Sequence, residues 1–387
     1  MKILLTTPTY PPFNSGLGNA VQQQAAALVE NGYSVVVATG GNARAQRIDE
    51  VSGALVEEFN IQGADYLLNP IRGDVRAYES FLVESFFDVV LMNAWQAWST
   101  DLCLRNLQKI RGRKLLYSHC VSTNMFFWQQ PLRSTIRFIF WRPYWWRLPS
   151  LIRRLDGMIF LGSDGTDSRF DDFKLARQLG VPLHVVPNGL SPAAFDILNQ
   201  PSVERKQRDQ LIAIGSYDWL KGHDFVLRAY ARSSAKNRVQ LKVFGQSHSA
   251  FSTRLQQLAQ SLGIEKSYVT FHEGVSGAPL LEECARSIAL LSGSHTECQP
   301  LVLLDAMASG TPFVARRTGC ISSLSGGVAV KSEVEAADSI DRLLSDASHW
   351  SHLSEAGRAY VVTNCDPATI GRNLIAALGV FELDGQN

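Results

Sequence analysis

Residues 296–312 read Thr296-Glu297-Cys298-Gln299-Pro300-Leu301-Val302-Leu303-Leu304-Asp305-Ala306-Met307-Ala308-Ser309-Gly310-Thr311-Pro312, two carboxylates on either side of a helix start. Glu297 follows the apolar run 288–291 in a loop. Pro300 suits the first helical position, where an N–H has no intrahelical acceptor anyway. Gly310 ends the helix and Pro312 helps stop it. The N–H groups of Leu301 and Val302 then point into the loop, and an anion is their natural guest. Asp305, more than a turn into the helix, can accept hydrogen bonds from vicinal hydroxyls such as those of a ribose, and Glu297 can hold a second polyol. Sugar, phosphate and ribose in one grip describe a nucleotide sugar. Spacing alone leaves a second reading open: an amphipathic helix with an incidental acid at each end.

Three other places carry chemistry-bearing residues. Pro11-Pro12-Phe13-Asn14-Ser15-Gly16-Leu17-Gly18-Asn19 lies between the first strand and the first helix. Glycine lets a backbone pass close to a ligand, and the following helix N-terminus favours anions. A third glycine of G-x-G-x-x-G would fall on Val21, so this is no dinucleotide fingerprint, and a plain strand-to-helix turn fits as well. Gly215-Ser216-Tyr217-Asp218-Trp219-Leu220-Lys221-Gly222 follows another apolar strand, and a lysine before glycine is by itself compatible with a solvated turn. His119 follows the run Leu116-Tyr117-Ser118, where a lone histidine is equally a structural residue.

The elements that position these residues are short apolar strands alternating with helical patterns, the mark of α/β layers with parallel sheets. Strands are expected at 2–6, 34–38, 89–92, 114–118, 157–161 and 184–186, then at 211–214, 240–244, 268–271, 288–291 and 313–315. Helices are expected at 20–31, 224–233, 252–262, 279–286 and 366–378. A chain of 387 residues suits two domains. The expected division is 1–187, 188–365 and a terminal helical segment 366–387.

The 296–312 stretch resembles the E-x7-E signature of retaining GT-B glycosyltransferases of the family 4 type, which often reads E-x-x-G/P-L-x-x-L-E-A-M-A-x-G-x-P. The second acid here is Asp305, one methylene shorter than the family's Glu. Pro187-Asn188-Gly189-Leu190 resembles the family's P-N-G-V linker, and Leu241 to Gly245 its L-x-I-x-G strand and turn. Thr270-Phe271-His272-Glu273-Gly274 resembles the V-x-F-x-G element near the base, and 215–222 resembles G-R-L-x-x-x-K-G. Ser216 stands where the family has Arg, and Arg286, Arg316 and Arg317 are candidate replacements.

The resemblance implies two Rossmann-like domains facing across a cleft, with the terminal helix crossing back onto the first. It gives Glu297, Lys221 and His119 catalytic roles at the sugar and the leaving diphosphate. It assigns substrate binding to Gly16, Gly18, Asn19, Gln299, Leu301, Val302, Asp305, Gly274 and Val275. Asp218 and His223, close to Lys221, are weaker candidates for substrate contact. No D-x-D motif is present, so neither metal nor cofactor is expected.

Net charge is +1, so global charge implies no nucleic-acid partner. That balance hides a polarised stretch, because residues 102–155 contain no Asp or Glu. They contain Arg105, Lys109, Arg111, Arg113, Lys114, Arg133, Arg137, Arg142, Arg147, Arg153 and Arg154, interleaved with Phe126, Phe127, Trp128, Phe138, Phe140, Trp141, Tyr144, Trp145 and Trp146. Basic residues beside Trp and Tyr suit an anionic membrane surface. The same residues also fit a packed aromatic core with a solvated arginine rim.

The six cysteines form no C-x-x-C pair, which argues against a zinc site and suits a reducing compartment. With a strand at the start and no apolar run of spanning length, a cytoplasmic protein is expected, peripheral on the inner face of the plasma membrane. The expected activity is transfer from a UDP- or GDP-linked sugar to a glycan or lipid-linked acceptor in envelope polysaccharide or glycolipid synthesis. A nucleotide-sugar epimerase or hydrolase of the same architecture, or a catalytically weak binding relative, is the alternative.

Overall fold

The computed structural model describes residues 1–13, 15–121, 125–162 and 168–379. Asn14 of the first glycine-containing loop, residues 122–124 of the basic stretch and residues 380–387 of the terminal segment lie outside the described residues. The chain divides into two compact units: Met1–Gly189 with Pro367–Asn387, and Leu190–Asp366.

The first unit contains β1 (Lys2–Thr6), β2 (Ser34–Gly40), β3 (Ala45–Ile48), β4 (Leu55–Phe59), β5 (Ile61–Gln62), β6 (Arg72–Gly73), β7 (Val89–Asn93), β8 (Arg113–Ser118), β9 (Gly157–Phe160) and β10 (Leu183–Val185). Its main sheet runs β10-β9-β8-β7-β1-β2-β4-β3. All pairs are parallel except β3 on β4. Ile3, Leu4, Leu5, Val90, Leu91, Leu115 and Leu116 are fully buried, because strands covered on both faces need continuous apolar runs. The helices are α1 (Gly16–Glu30), α2 (Val75–Glu84), α3 (Trp98–Asn106), α4 (Pro131–Ile152) and α5 (Asp171–Gln178). Phe59, Tyr78, Trp98, Leu102 and Leu148 join the strands in one core.

The second unit has β11 (Gln210–Ile214), β12 (Gln240–Gly245), β13 (Val269–Glu273), β14 (Ser287–Ser292), β15 (Phe313–Arg316) and β16 (Gly327–Val330), ordered β13-β12-β11-β14-β15-β16. Every pair is parallel. Its helices are α6 (Pro192–Leu198), α7 (His223–Arg232), α8 (Ala250–Ser261), α9 (Ala278–Ala285), α10 (Leu301–Ala308), α11 (Glu333–Ser345) and α12 (Ala347–Asn364). One core lies on each sheet face, α7 and α11 covering one and α6, α9 and α10 the other. The last helix, α13 (Pro367–Leu378), packs on α1, where Gly371 lies against Ala27.

In the two large sheets the parallel strand order switches direction between β1 and β7 and between β11 and β14. Loops at the carboxyl ends of such strands form the ligand crevice of open α/β sheets.

Candidate active site

In the second unit the switch point brings together two loops distant in sequence. After β11, Trp219–Lys221 forms a single 3₁₀ turn capped by Asp218, whose carboxylate accepts from the Lys221 N–H at 3.3 Å. Gly222 then takes φ +60°, and an added Cβ would lie 1.9 Å from the Gly293 carbonyl oxygen. A Cβ on Gly293 would lie 2.0 Å from the Gly222 oxygen, so both positions must be glycine for the loops to touch. The contact is reinforced where the His295 N–H donates to the Leu220 carbonyl at 2.8 Å and the His295 ring stacks on Trp219 at 4.0 Å. These backbone ties bring Lys221 Nζ to 2.8 Å from Glu297 Oε1.

His295 and Gly293 were not singled out by sequence reasoning, and Trp219 and Gly222 entered it only as members of the 215–222 motif. Two glycines on loops after neighbouring strands were the available signal. Arg316 Nη1 donates to His295 Nδ1 at 2.8 Å, and burial with that cation pushes the imidazole down to about 4. Of the three candidate arginines, Arg316 alone makes a bond to the Glu297 loop among the described residues; Arg286 closes α9 and Arg317 is exposed. The Ser216 hydroxyl donates to Asp218. His223 Nε2 lies 3.0 Å from the Gly215 carbonyl oxygen, so Asp218 and His223 both have structural partners.

Helix α10 begins one residue later than expected. Pro300 is its N-cap, with φ −72° and ψ 120°, and Leu301 is the first helical residue. Leu303 N–H donates to the Pro300 carbonyl, so the N–H groups of Leu301 and Val302 precede the first intrahelical bond. At the other end Gly310 takes φ +67°, with Gly310 N–H on the Met307 carbonyl and Thr311 N–H on that of Ala306. Arg358 and Arg208 donate to the carbonyls of Ala308 and Ser309, fixing the helix from its C-terminus. Asp305 keeps part of its surface exposed, but its carboxyl is set deep enough that burial pushes it up to about 7, against a hydrogen bond from Ser191. Gln299 is buried, Val275 packs on the core beside α9, and Gly274 takes φ +69° with open space where a Cβ would stand.

In the first unit, α1 starts at Gly16, four residues earlier than expected. Gly16, Gly18 and Asn19 therefore form its first turn rather than a loop. Ser15 is the N-cap, its hydroxyl accepting from Gly18 N–H at 2.9 Å. Sidechain-free Gly18 matters here, since a Cβ would lie 2.9 Å from the Thr9 carbonyl oxygen. His119 follows β8, stacked on Tyr117 at 4.9 Å, and burial pushes it down to about 4.

The aromatics of the basic stretch divide between the two readings. Trp141 and Tyr144 are core residues, Trp141 stacked on Tyr66 at 4.4 Å. Trp128, Leu132, Ile139 and Trp146 are exposed at 81, 75, 59 and 71%. The cations also divide: Arg105 and Arg147 pair with Asp65, and Arg113 donates to the Leu378 carbonyl, whereas Lys109, Arg111, Arg133, Arg153 and Arg154 are exposed.

Residues 208–346 match the family model of glycosyl transferases group 1. The chain is 32% identical over 204 residues to the MMP alpha-(1→4)-mannosyltransferase of Mycolicibacterium hassiacum, covering 47% of this chain and 45% of that protein. It is 30% identical over 189 residues to the D-inositol 3-phosphate glycosyltransferase of Stackebrandtia nassauensis, covering 44% and 42%. The chain thus spans less than half the length of these relatives. Among solved structures, sucrose-phosphate synthase from Thermosynechococcus elongatus matches with a TM-score of 0.72 at 20% identity, over 97% of this chain and 99% of that one. Anabaena HepE in complex with UDP matches with a TM-score of 0.68 at 17% identity, over 98% and 100%. The fold is GT-B.

Proposed function

We propose that this chain, whose second unit is a domain of the glycosyl transferases group 1 family, is a retaining glycosyltransferase that uses a nucleotide-diphosphate sugar. The carrying observation is the 2.8 Å contact of Lys221 with Glu297 beside the start of α10. Lys221 and the N–H groups of Leu301 and Val302 stabilise charge growing on the departing diphosphate. Glu297 holds hydroxyls of the donor sugar, and Asp305 accepts from the ribose. The acceptor oxygen bonds to the anomeric carbon on the face from which the phosphate oxygen leaves. Its proton passes to that phosphate oxygen, so the configuration is retained without a dedicated base. His119 lines the sugar. Gly16, Gly18 and Asn19, Gln299, and Gly274 with Val275 complete the substrate contacts. The relatives named above are transferases by name, which does not favour the epimerase or hydrolase alternative.

A thermal-shift screen with UDP, GDP, ADP, dTDP and their sugars tests this reading. A bound ligand at a hundred times its dissociation constant adds about 2.7 kcal/mol. One nucleotide and its sugar should stabilise the wild type, and the sugar should stabilise Glu297→Ala less. No stabilisation by any of them returns the chain to a catalytically weak binding relative.

The acceptor in this reading is a glycan or lipid-linked molecule, met at an anionic membrane surface in envelope polysaccharide or glycolipid synthesis. The support is the exposed row on and before α4: Trp128, Leu132, Ile139 and Trp146, with Arg133, Arg153 and Arg154 beside it. Leu132, Ile139 and Trp146 recur at helical spacing on one exposed face of α4, and Trp128 lies just before that helix. Among the described residues no helix is long and apolar enough to cross a membrane. The full chain should sediment with phosphatidylglycerol vesicles. Trp128→Glu with Trp146→Glu should lower that partitioning at least about tenfold, since two bulky apolar side chains no longer enter the interface. Equal sedimentation of wild type and double variant would remove the membrane from the proposal.

A further inference from the structure

Parallel pairing of β7 with β8 sets Asn93 opposite Tyr117, two residues before His119. Asn93 is fully buried. Its backbone carbonyl accepts from the Thr100 hydroxyl at 3.2 Å, and its side-chain Oδ1 lies 3.3 Å from His119 Nε2. Among the described residues its Nδ2 has no hydrogen-bond partner. Just past the two strand ends the backbone leaves the extended conformation: Ala94, directly after β7, takes φ +67° and Cys120, directly after His119, takes φ +71°, although neither is glycine. Such backbone is retained where the surroundings over-determine it, and it clusters at ligand sites.

The His119 ring is held on one face and one edge. Tyr117 covers the face, its own hydroxyl donating to the Val186 carbonyl. Asn93 holds the Nε2 edge. Burial keeps the imidazole neutral, so one ring nitrogen carries a proton and the other offers a lone pair.

We infer that Asn93 is a positioning residue for His119: its side-chain oxygen accepts from the ring Nε2–H and thereby makes Nδ1 the acceptor for a substrate hydroxyl. The amide N–H groups of Asn93 then remain as buried donors without a protein partner among the described residues, and an oxygen of a polyhydroxylated substrate is one group that would satisfy them. An unmatched donor of this kind is costly unless a ligand or water meets it. The opposite arrangement, with the amide turned over, would place the proton on Nδ1 and make His119 a donor instead. The identity of the substrate rests on the glycosyltransferase reading; the ring tautomer does not.

The test uses the full chain with ¹⁵N-labelled histidine, as wild type, Asn93→Asp and Asn93→Leu. His119 is assigned by the signal lost in His119→Gln. Long-range ¹H–¹⁵N spectra at pH 7 read the tautomer, and kcat is measured with the nucleotide sugar that stabilises the protein. Wild type and Asn93→Asp should show the Nε2–H form, because a carboxylate only accepts. Asn93→Leu should show mixed tautomers and a kcat lower by on the order of tenfold, with nucleotide affinity unchanged. Nδ1–H in the wild type overturns the inference even if the leucine variant does not fold, and so does a leucine variant with wild-type tautomer and kcat. If no nucleotide or nucleotide sugar stabilises the wild type, the transferase reading fails while the spectra still decide the role of Asn93.

Discussion

Lys221→Ala should lower donor turnover by on the order of 10²- to 10³-fold, the effect of removing a donor aimed at charge that develops in the transition state. The fold should survive. The turn is held by the Asp218 cap, the left-handed Gly222 and the His295–Leu220 backbone bond, none of which uses the lysine side chain. In the resting protein the ammonium is bound to Glu297, which neutralises that carboxylate. An arriving diphosphate competes for the same ammonium and frees Glu297 to take sugar hydroxyls. Without Lys221, a bare carboxylate meets the diphosphate and repels it, so the donor KM should also rise. Lys221→Arg should recover only part of the rate, since a planar fork replaces a point charge. Steady-state kinetics of Lys221→Ala, Glu297→Ala and the double variant measure this as a cycle. The two losses should be less than additive, because each variant removes the same contact. A Lys221→Ala enzyme within threefold of wild type, with its melting temperature unchanged, would place the leaving-group charge elsewhere.

The strands around this site were legible because buried parallel strands write themselves as unbroken apolar runs. Ile288 to Leu291 and Leu211 to Ile214 are such runs, and β14 and β11 lie there within a residue or two. The strands β3 and β4 were not legible. β3 is the polar edge sequence Ala45 to Ile48, and β4 carries Glu57 and Glu58 in the middle of a five-residue strand. Helix α4 was hidden for another reason: Pro143 and Pro149 sit inside its 22 residues, and proline ordinarily argues against a helix interior. At the site, residue types announced themselves and supports did not. Glu297, Lys221 and Asp305 stand in a recognisable spacing, whereas His295, Trp219 and Arg316 act only because two loops meet in space. The start of α1 shows the same limit. Gly16 and Gly18 read as loop residues until Ser15 is seen to cap them into a helical turn.

Asp305→Asn should stabilise the protein above pH 7 and weaken the donor, and both effects have one cause. The Asp305 carboxyl is pushed up to about 7 by burial, which outweighs the Ser191 hydrogen bond. An unfolded aspartate titrates near pH 3.9. Between those values the folded chain holds a proton that the unfolded chain has released. Stability contributed by this group is therefore complete below about pH 4 and declines as pH rises, until the folded carboxyl is itself ionised above about pH 7. Asparagine removes that decline. The melting temperature of Asp305→Asn relative to wild type should climb from pH 5 to pH 8 and then level off. Donor affinity runs the other way: an ionised Asp305 can accept from both ribose hydroxyls, whereas asparagine offers one acceptor atom. Affinity of the wild type should rise with pH through about 7, as ligand binding favours the ionised carboxyl. In Asp305→Asn it should be flat and weaker by roughly 10- to 100-fold, the loss of a charge-assisted hydrogen bond. The intact nucleotide sugar is the ligand to titrate, because its diphosphate diester does not itself ionise in this range, unlike the terminal phosphate of a free nucleoside diphosphate. Calorimetric titrations at pH 6, 7 and 8.5 separate the cases. A pH-independent affinity in the wild type, or an asparagine variant that binds as tightly, would mean that Asp305 is a buried structural acid and that the ribose is held elsewhere.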